Sequence, residues 1–202
     1  MSNTIGIFGG TFSPPHLGHI HAAKAFVCAL KLEKLLVIPS FIPPQKEVTS
    51  PVSGEDRLAM CKLAFSDLPC AEVSDIELLR QGKSYTVDTL KQLKNMYPNA
   101  NLAFLMGTDM MLTLDQWYAP DEVFALCDLY CVRRETDATL DEDITAKNEE
   151  YLKRFGKRVN FISVPSYEIS STEVRESIAE GREIESLPSN VARYIESRGL
   201  YR

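Results

Sequence analysis

Three histidines lie close together near the start of the chain, at His16, His19 and His21, and the protein has no others. His16 and His19 are three residues apart, about one helical turn, so a helix starting there presents both on one side. The N–H groups and dipole of a helix N-terminus favour anions, and imidazoles donate hydrogen bonds to phosphate oxygens. The cluster predicts a phosphate-binding site; capping or packing of the helix is the alternative.

The loop before these histidines is suited to a ligand that approaches the backbone. Gly9 and Gly10 are expected to adopt backbone conformations closed to other residues, and Gly18 to leave room for an approaching group. The glycine pattern of dinucleotide-binding loops is absent, and so is the Walker pattern that ends in lysine and a hydroxyl. A metal site on His16 and His19 lacks an evident third ligand.

A second cluster of hydroxyl and cationic side chains comes late in the chain, in the segment ISSTEVR. Ser170 and Glu173 have the spacing of a capping box, which explains those two residues alone. Arg175 is unusual at the start of a helix, because a cation there opposes the helix dipole. A bound anion would reverse that effect. The segment therefore predicts a second phosphate contact, with a plain helix cap as the alternative.

Short apolar runs alternate with longer amphipathic runs along the chain. Strands are predicted at residues 4–8, 35–38, 71–74, 102–106, 129–132 and 159–164. Helices are predicted from residues 17, 53, 171 and 188, over 87–97 and 120–126, and as a solvated helix within the charged segment 135–158. This alternation predicts an α/β fold: a Rossmann-like parallel sheet with helices on both faces and a helical C-terminal end, in a single domain over residues 1–202. Ligands of such folds bind beyond the carboxyl ends of the strands, where both clusters fall.

Composition limits the partners and the compartment. The 202 residues are 45% hydrophobic and carry a net charge of −6, so the overall field attracts neither nucleic acid nor an anionic membrane. The five cysteines include no CxxC pair, which predicts reduced thiols and a cytoplasmic protein. Neither a signal peptide nor an apolar run long enough to span a membrane is evident, and the pattern specifies no oligomeric state.

The first cluster resembles the signature GxFxPxHxGH of the HxGH nucleotidyltransferases, which the chain matches from Gly6 to His19. In that superfamily the two histidines contact ATP phosphates. The second cluster resembles its SSTxxR motif, matched here by Ser171, Thr172 and Arg175, which also binds ATP phosphates. The family often has aspartate at the position of Ser13, and this difference is expected to alter hydrogen bonding in the loop more than the chemistry.

Two further segments resemble the nicotinate-mononucleotide adenylyltransferase branch, and the resemblance covers nearly the whole chain. Residues 84–90 match the SYTxDTL segment, which implies that Tyr85 and Thr86 contact the nicotinate-bearing nucleotide. An ordinary N-cap at Thr86 is the alternative. Gly107 and Asp109 match the GxD segment, which holds a nucleotide ribose; here the alternative is a helix cap by Asp109.

The only tryptophan adds to this resemblance. Trp117 lies in a polar context, and in the branch it stacks on the pyridine ring, while the backbone N–H of Tyr118 meets the nicotinate carboxylate. Packing in the core is the alternative for a lone tryptophan. After the second strand, the branch often has Pro-Pro-His-Lys where this chain has Gln45 before Lys46. Lys46 is still expected to reach a triphosphate, whereas the role of Gln45 is in doubt.

The resemblance implies an adenylyltransferase that joins ATP and nicotinate mononucleotide in NAD biosynthesis, with Mg²⁺ accompanying the triphosphate. The implied catalytic residues are His16, His19 and Arg175. The implied ATP-binding residues are Gly9, Gly10, Thr11, Phe12, Gly18, Lys46, Gly107, Asp109, Ser171 and Thr172. The implied acceptor-binding residues are Tyr85, Thr86, Trp117 and Tyr118.

Two alternatives to this activity are open. Another HxGH enzyme, such as the phosphopantetheine adenylyltransferase, explains both phosphate motifs but leaves the SYTxDTL segment, the GxD segment and Trp117 without a role. A non-catalytic nucleotide sensor on the same fold would bind ATP without turnover.

Overall fold

A computed structural model describes residues 3–44, 52–134, 138–164, 169–182 and 184–202. Its strands are β1 (Thr4–Gly10), β2 (Lys34–Pro39), β3 (Ala71–Val73), β4 (Asn101–Gly107), β5 (Asp128–Arg134) and β6 (Asn160–Val164). In this part of the chain they form one six-stranded sheet in the order β3-β2-β1-β4-β5-β6, and all neighbouring strands are parallel. The predicted parallel sheet is confirmed.

The helices include all those that the sequence predicts. They are α1 (Leu17–Leu30), α2 (Gly54–Ala64), α3 (Ile76–Arg80), α4 (Thr86–Met96), α5 (Thr108–Leu112), α6 (Pro120–Leu126), α7 (Ala138–Phe155), α8 (Ser171–Ala179) and α9 (Ser189–Arg198), with a 3₁₀ turn at Leu114–Gln116. The sequence pattern does not predict α3, α5 or the 3₁₀ turn. Each has at most five residues, too few for a helical repeat of apolar positions.

Both faces of the sheet are covered by helices, as predicted. Along β4, Leu102 and Phe104 point to the face covered by α3 to α7, whereas Ala103 and Leu105 point to the face covered by α1, α2, α8 and α9. Burial on both faces explains why β4 is a continuous apolar run rather than an alternating one.

The charged helix α7 is less solvated than the sequence predicts. Ile144 and Tyr151 are buried, and the Tyr151 ring packs 5.4 Å from the ring of Phe124. The Tyr151 hydroxyl donates a 2.7 Å hydrogen bond to the Met111 carbonyl. Sparse apolar residues on one side therefore suffice to anchor a helix whose other side is charged.

The strand order places a crevice between β1 and β4. From these two central strands the chain continues toward opposite edges of the sheet, and ligands of doubly wound sheets bind at such a switch point. All five cysteines lie in the described residues and are free thiols there. Among the described helices, none combines the length and the apolar character needed to span a bilayer.

Candidate active site

A cleft of about 890 Å³ lies at the carboxyl end of the sheet. Its volume is in the range of pockets that enclose small-molecule ligands. Every predicted site residue that the structure describes lines this cleft: Gly9, Gly10, Thr11, Phe12, His16, Gly18, His19, Tyr85, Thr86, Gly107, Asp109, Trp117, Tyr118, Ser171, Thr172 and Arg175. Lys46 and Gln45 lie outside the described residues.

The two histidines of the first motif support each other at the start of α1. His16 is the N-cap residue, and its backbone N–H donates a 3.2 Å hydrogen bond to Nδ1 of His19. Their ring centroids are 3.8 Å apart. A neutral imidazole that accepts through Nδ1 carries its proton on Nε2, so His19 has a donor on the side of the ring away from this bond. The capping role proposed as an alternative is therefore present, at two residues that also line the cleft.

The glycines before the histidines act differently from the prediction. Gly9 and Gly10 belong to β1, and neither has a left-handed backbone. The left-handed residue is Phe12, with a φ of 47°, and its buried ring lies 5.0 Å from the His19 ring. A Cβ atom added to Gly10 would lie 3.1 Å from that ring. Gly10 thus makes room for Phe12, which forms the base on which His19 rests.

Gly18 lines the cleft and also packs against a neighbouring ring. A Cβ atom at this position would lie 3.0 Å from Nδ1 of His16 and 3.3 Å from Cγ2 of Ile169. Real Cβ contacts are seldom this close, so a larger residue would displace the His16 ring. Glycine therefore allows α1 to pack closely against the start of the second motif, and the clearance for a ligand stays a prediction.

The two motifs meet at the cleft, although they are far apart in sequence. The Ser171 hydroxyl donates to the Pro14 carbonyl at 2.9 Å, and Arg175 Nη1 donates to the Ser13 carbonyl at 2.8 Å. Arg175 Nη2 donates to the Thr172 hydroxyl at 3.0 Å. The predicted capping box at Ser170 is also present. The cap and the contact with the first loop therefore occur together at the start of α8.

Ser13 has its own partner where the family often has aspartate. The hydroxyls of Ser13 and Tyr201 are 3.0 Å apart, and Ser13 is buried. Burial raises the pKa of Tyr201 to about 12, so the phenol keeps its proton near neutrality. The Ser13 hydroxyl thus joins the loop to the segment after α9.

The SYT segment, residues 84–86, is held in place by the residues that follow β2. The Phe41 backbone N–H donates to the Ser84 hydroxyl at 2.9 Å, and the Ser84 N–H donates to the Ile42 carbonyl at 2.8 Å. The N-cap of α4 is Tyr85, which makes no side-chain cap bond, and Thr86 is the first helical residue. The alternative of an ordinary N-cap at Thr86 is therefore wrong.

The GxD segment presents bare backbone and a carboxylate at the exit of β4. The N-cap of α5 is Gly107, and Asp109 is the second helical residue, so the alternative of a cap by Asp109 is wrong. A Cβ atom added to Gly107 would meet nothing within 4 Å. The packing of the protein therefore does not demand glycine there, and a ligand can approach the strand end closely.

Trp117 combines core packing with exposure to the cleft. Its ring packs edge to face against Phe104, with centroids 6.1 Å apart and planes at 85°. Its indole Nε1 is buried and has no hydrogen-bond partner among the described residues. Beside it, Tyr118 is largely exposed, and its ring lies 4.7 Å from that of Tyr85. These aromatic rings line the same part of the cleft wall.

Two buried charged residues beside the cleft were not predicted from the sequence. Arg57 is 2% exposed on the inner face of α2, whereas the predicted apolar face passes through Leu58 instead. Glu77 is buried in the short helix α3 and accepts a 2.6 Å hydrogen bond from the Thr89 hydroxyl. Burial raises the pKa of Glu77 above its ordinary value. Positions 57, 60, 61 and 64 have the spacing of one helical face, and this pattern indicates that Arg57 is buried. Helix α3 is too short to show such a pattern for Glu77.

The cleft concentrates groups that attract anions, although the protein is acidic overall. The N-termini of α1 and α8 both meet it, at His16 and Ser170, and Arg175 adds a guanidinium. Among the residues that the structure describes, no group of three or more His, Cys, Asp or Glu side chains is arranged to hold a metal ion.

The class of protein to which this chain belongs follows from its similarity to known proteins. The cytidylyltransferase-like family model matches residues 7–177, and the chain belongs to that family. Relatives from Shewanella woodyi and Enterococcus faecalis are 38% and 35% identical to this chain. The matches cover 98% of this chain and 99% and 84% of theirs, and both carry the name "Probable nicotinate-nucleotide adenylyltransferase". The chain belongs with these nicotinate-nucleotide adenylyltransferases, which are nucleotidyltransferases.

A solved structure agrees at the level of the fold. It is a Plasmodium falciparum nicotinic acid mononucleotide adenylyltransferase complexed with APC, with a TM-score of 0.74 and 18% identity. The match covers 98% of this chain and 96% of that one.

Proposed function

We propose that this cleft joins ATP and nicotinate mononucleotide to give nicotinate adenine dinucleotide and pyrophosphate, a step of NAD biosynthesis. One observation carries the assignment: the two predicted phosphate-binding motifs, which are distant in sequence, are hydrogen-bonded to each other at one end of a single cleft. The SYT segment and Trp117 line the same cleft. A cleft of this composition can hold a triphosphate beside an aromatic acceptor.

The phosphate end would bind the α- and β-phosphates of ATP. His16 and His19 would donate from the start of α1, and Ser171, Thr172 and Arg175 from the start of α8. Thr11, the backbone of Gly9 and Gly10, and Phe12 would complete this end, with Lys46 further along the triphosphate. Gly107 and Asp109 would hold the ribose of the adenosine, because a carboxylate accepts from ribose hydroxyls.

Mg²⁺ would enter as part of the ATP substrate. This ion keeps several waters and binds proteins through few carboxylates when phosphates supply its other ligands. The cleft fits that role, since Asp109 and Glu77 are separate carboxylates on its wall rather than a cluster.

The acceptor end would bind the pyridine nucleotide. Trp117 would stack on the pyridine ring, and backbone N–H groups near Thr86 and Tyr118 would donate to its carboxylate. The amide form presents one acceptor oxygen and an NH₂ group. Its NH₂ group is itself a donor and would point at the backbone N–H donors without forming a hydrogen bond. We therefore expect nicotinate mononucleotide to be preferred over nicotinamide mononucleotide.

The reaction would need no activated side-chain nucleophile. An oxygen of the acceptor's 5′-phosphate attacks the α-phosphorus of ATP in line, and the bond from that phosphorus to the oxygen bridging to the β-phosphate breaks. Pyrophosphate leaves with that oxygen. A phosphate monoester is mostly dianionic near neutral pH, so the protein would contribute positioning and stabilisation of charge. The free thiols support a cytoplasmic location for this chemistry.

Pyrophosphate release tests the proposal. The purified protein would be given MgATP with nicotinate mononucleotide, nicotinamide mononucleotide or phosphopantetheine. We expect release with the first, slower release with the second and none above background with the third. Faster release with phosphopantetheine would replace the acceptor assignment, and ATP binding without release under any condition would indicate a nucleotide sensor.

A further inference from the structure

Arg57 is a buried cation that joins the exits of two strands. Its Nη1 donates to the carbonyls of Thr11, at 2.9 Å, and Ser40, at 2.6 Å, while Nη2 lies 3.5 Å from the Phe41 carbonyl. Thr11 follows β1, and Ser40 and Phe41 follow β2. One guanidinium therefore bridges the first loop of the cleft and the segment beside it, next to the 2.9 Å bond from the Ser40 N–H to the Gly10 carbonyl.

The charge of Arg57 has no contacting carboxylate within the described parts of the chain. Its acceptors there are neutral carbonyls, and Glu77 acts on it only through space. Burying a cation is costly, and an apolar side chain of similar volume would fill a core position at least as favourably. Packing alone therefore does not account for arginine at this position. The need to hold the three carbonyls in a fixed geometry does account for it, because the planar guanidinium presents its donors in a rigid fork.

The connection continues from Arg57 to the acceptor end of the cleft. Phe41, whose carbonyl faces Arg57, donates its N–H to the Ser84 hydroxyl at 2.9 Å. Ser84 directly precedes Tyr85 and Thr86. The Ser40 carbonyl and the Phe41 N–H belong to the same peptide group, so short hydrogen bonds connect the Thr11 carbonyl through Arg57 and this peptide to Ser84, at the start of the SYT segment.

We propose that Arg57 is a positioning residue that sets the spacing between the phosphate end and the acceptor end of the cleft. The inference rests on the proposed function, because spacing matters only when two substrates must meet there. In-line attack requires the acceptor phosphate and the α-phosphorus at near-contact distance, and a displacement of about 1 Å can slow such a reaction about 100-fold. Arg57 thus acts on the rate without touching either substrate.

The test compares Arg57→Gln and Arg57→Lys in the full chain, with kcat and both KM values measured per folded molecule. We expect Arg57→Gln to lower kcat about 100-fold and to change each KM only a few-fold, because misplacement affects the transition state more than binding. Arg57→Lys keeps the charge without the fork, and we expect kcat to fall about 10-fold. If the Gln variant does not fold, the Lys variant decides the test.

Leu93→Ala is the control for a general loss of stability. Leu93 is buried in α4 and does not line the cleft, so its truncation should lower the melting temperature while kcat per folded molecule stays near that of the unaltered protein. An unchanged kcat in Arg57→Lys, or a change confined to the KM for ATP, would overturn the positioning role. The unaltered protein separates the two proposals, because its failure to release pyrophosphate with nicotinate mononucleotide would defeat the proposed function instead.

Discussion

Replacing His19 in three ways separates its two nitrogens. Asparagine places an amide oxygen near the position of Nδ1, so it can still accept from the His16 N–H but does not reach the position of Nε2. Glutamine extends an amide NH₂ toward the position of Nε2 but leaves the His16 N–H without its 3.2 Å acceptor. Alanine removes both groups and the ring that packs 5.0 Å from Phe12.

The expected magnitudes follow from those contacts. Loss of one preorganised donor at reacting oxygens costs about 100- to 1,000-fold in kcat, so His19→Asn and His19→Ala should both be slowed by this factor. His19→Gln should stay within about 10-fold of the unaltered protein, since it keeps a donor. The lost bond to the His16 N–H contributes about 0.5–1.5 kcal/mol, so Gln should lower the free energy of unfolding by about that amount.

Two measurements on the same preparations check this series: pyrophosphate release at saturating MgATP and nicotinate mononucleotide, and urea unfolding. The rank order of rates should differ from the rank order of stabilities, because each amide replaces a different nitrogen. Equal rates for the Asn and Gln variants would refute the assigned donor. An Ala variant within a few-fold of the unaltered rate would remove His19 from the reaction and leave the motif's chemistry to His16.

Three further changes test other parts of the cleft. Arg175→Ala should raise the KM for ATP about 10- to 100-fold, since hydrogen bonds to a charged group contribute about 1.5–3 kcal/mol. The variant should stay folded, so an ATP titration and a thermal melt are measured together. Normal ATP kinetics in this variant would show that Arg175 has no role in ATP use. Trp117→Ala should raise the acceptor KM several-fold with ATP binding nearly unchanged, because an aromatic stack is worth about 0.5–1.5 kcal/mol beyond area burial. In the unaltered protein, the fluorescence of this sole tryptophan should change when nicotinate mononucleotide binds, and no response to either mononucleotide would contradict the stack. Burial raises the pKa of Glu77 above 4.5, so the folded protein should lose stability as the pH rises from about that value through the raised pKa. Melting curves between pH 4 and 8 should show this loss in the unaltered protein and not in Glu77→Gln. Parallel curves for the two proteins would contradict the prediction.

The sequence by itself determines the features that depend on neighbouring residues. The apolar runs predict the strands because strand burial on both faces requires apolar residues at successive positions, and β4 is the clearest case. The motifs around His16 and Arg175 are visible because their residues are neighbours in sequence, and helix starts carry recognisable caps. The Ser170 capping box is present as its spacing predicts.

Tertiary structure decided the features that depend on residues distant in sequence. Steric contact with the rings of Phe12 and His16 accounts for Gly10 and Gly18, whereas the predicted reasons were backbone freedom at Gly10 and room for a ligand at Gly18. Arg57 lies beside the cleft because α2 packs with that side inward, and its acceptors follow two different strands. The hydrogen bond between Arg175 and the Ser13 carbonyl likewise forms only when the start of α8 meets the first loop. Sequence spacing specifies which groups share a helix or strand, but contacts between elements depend on how the sheet brings their ends together.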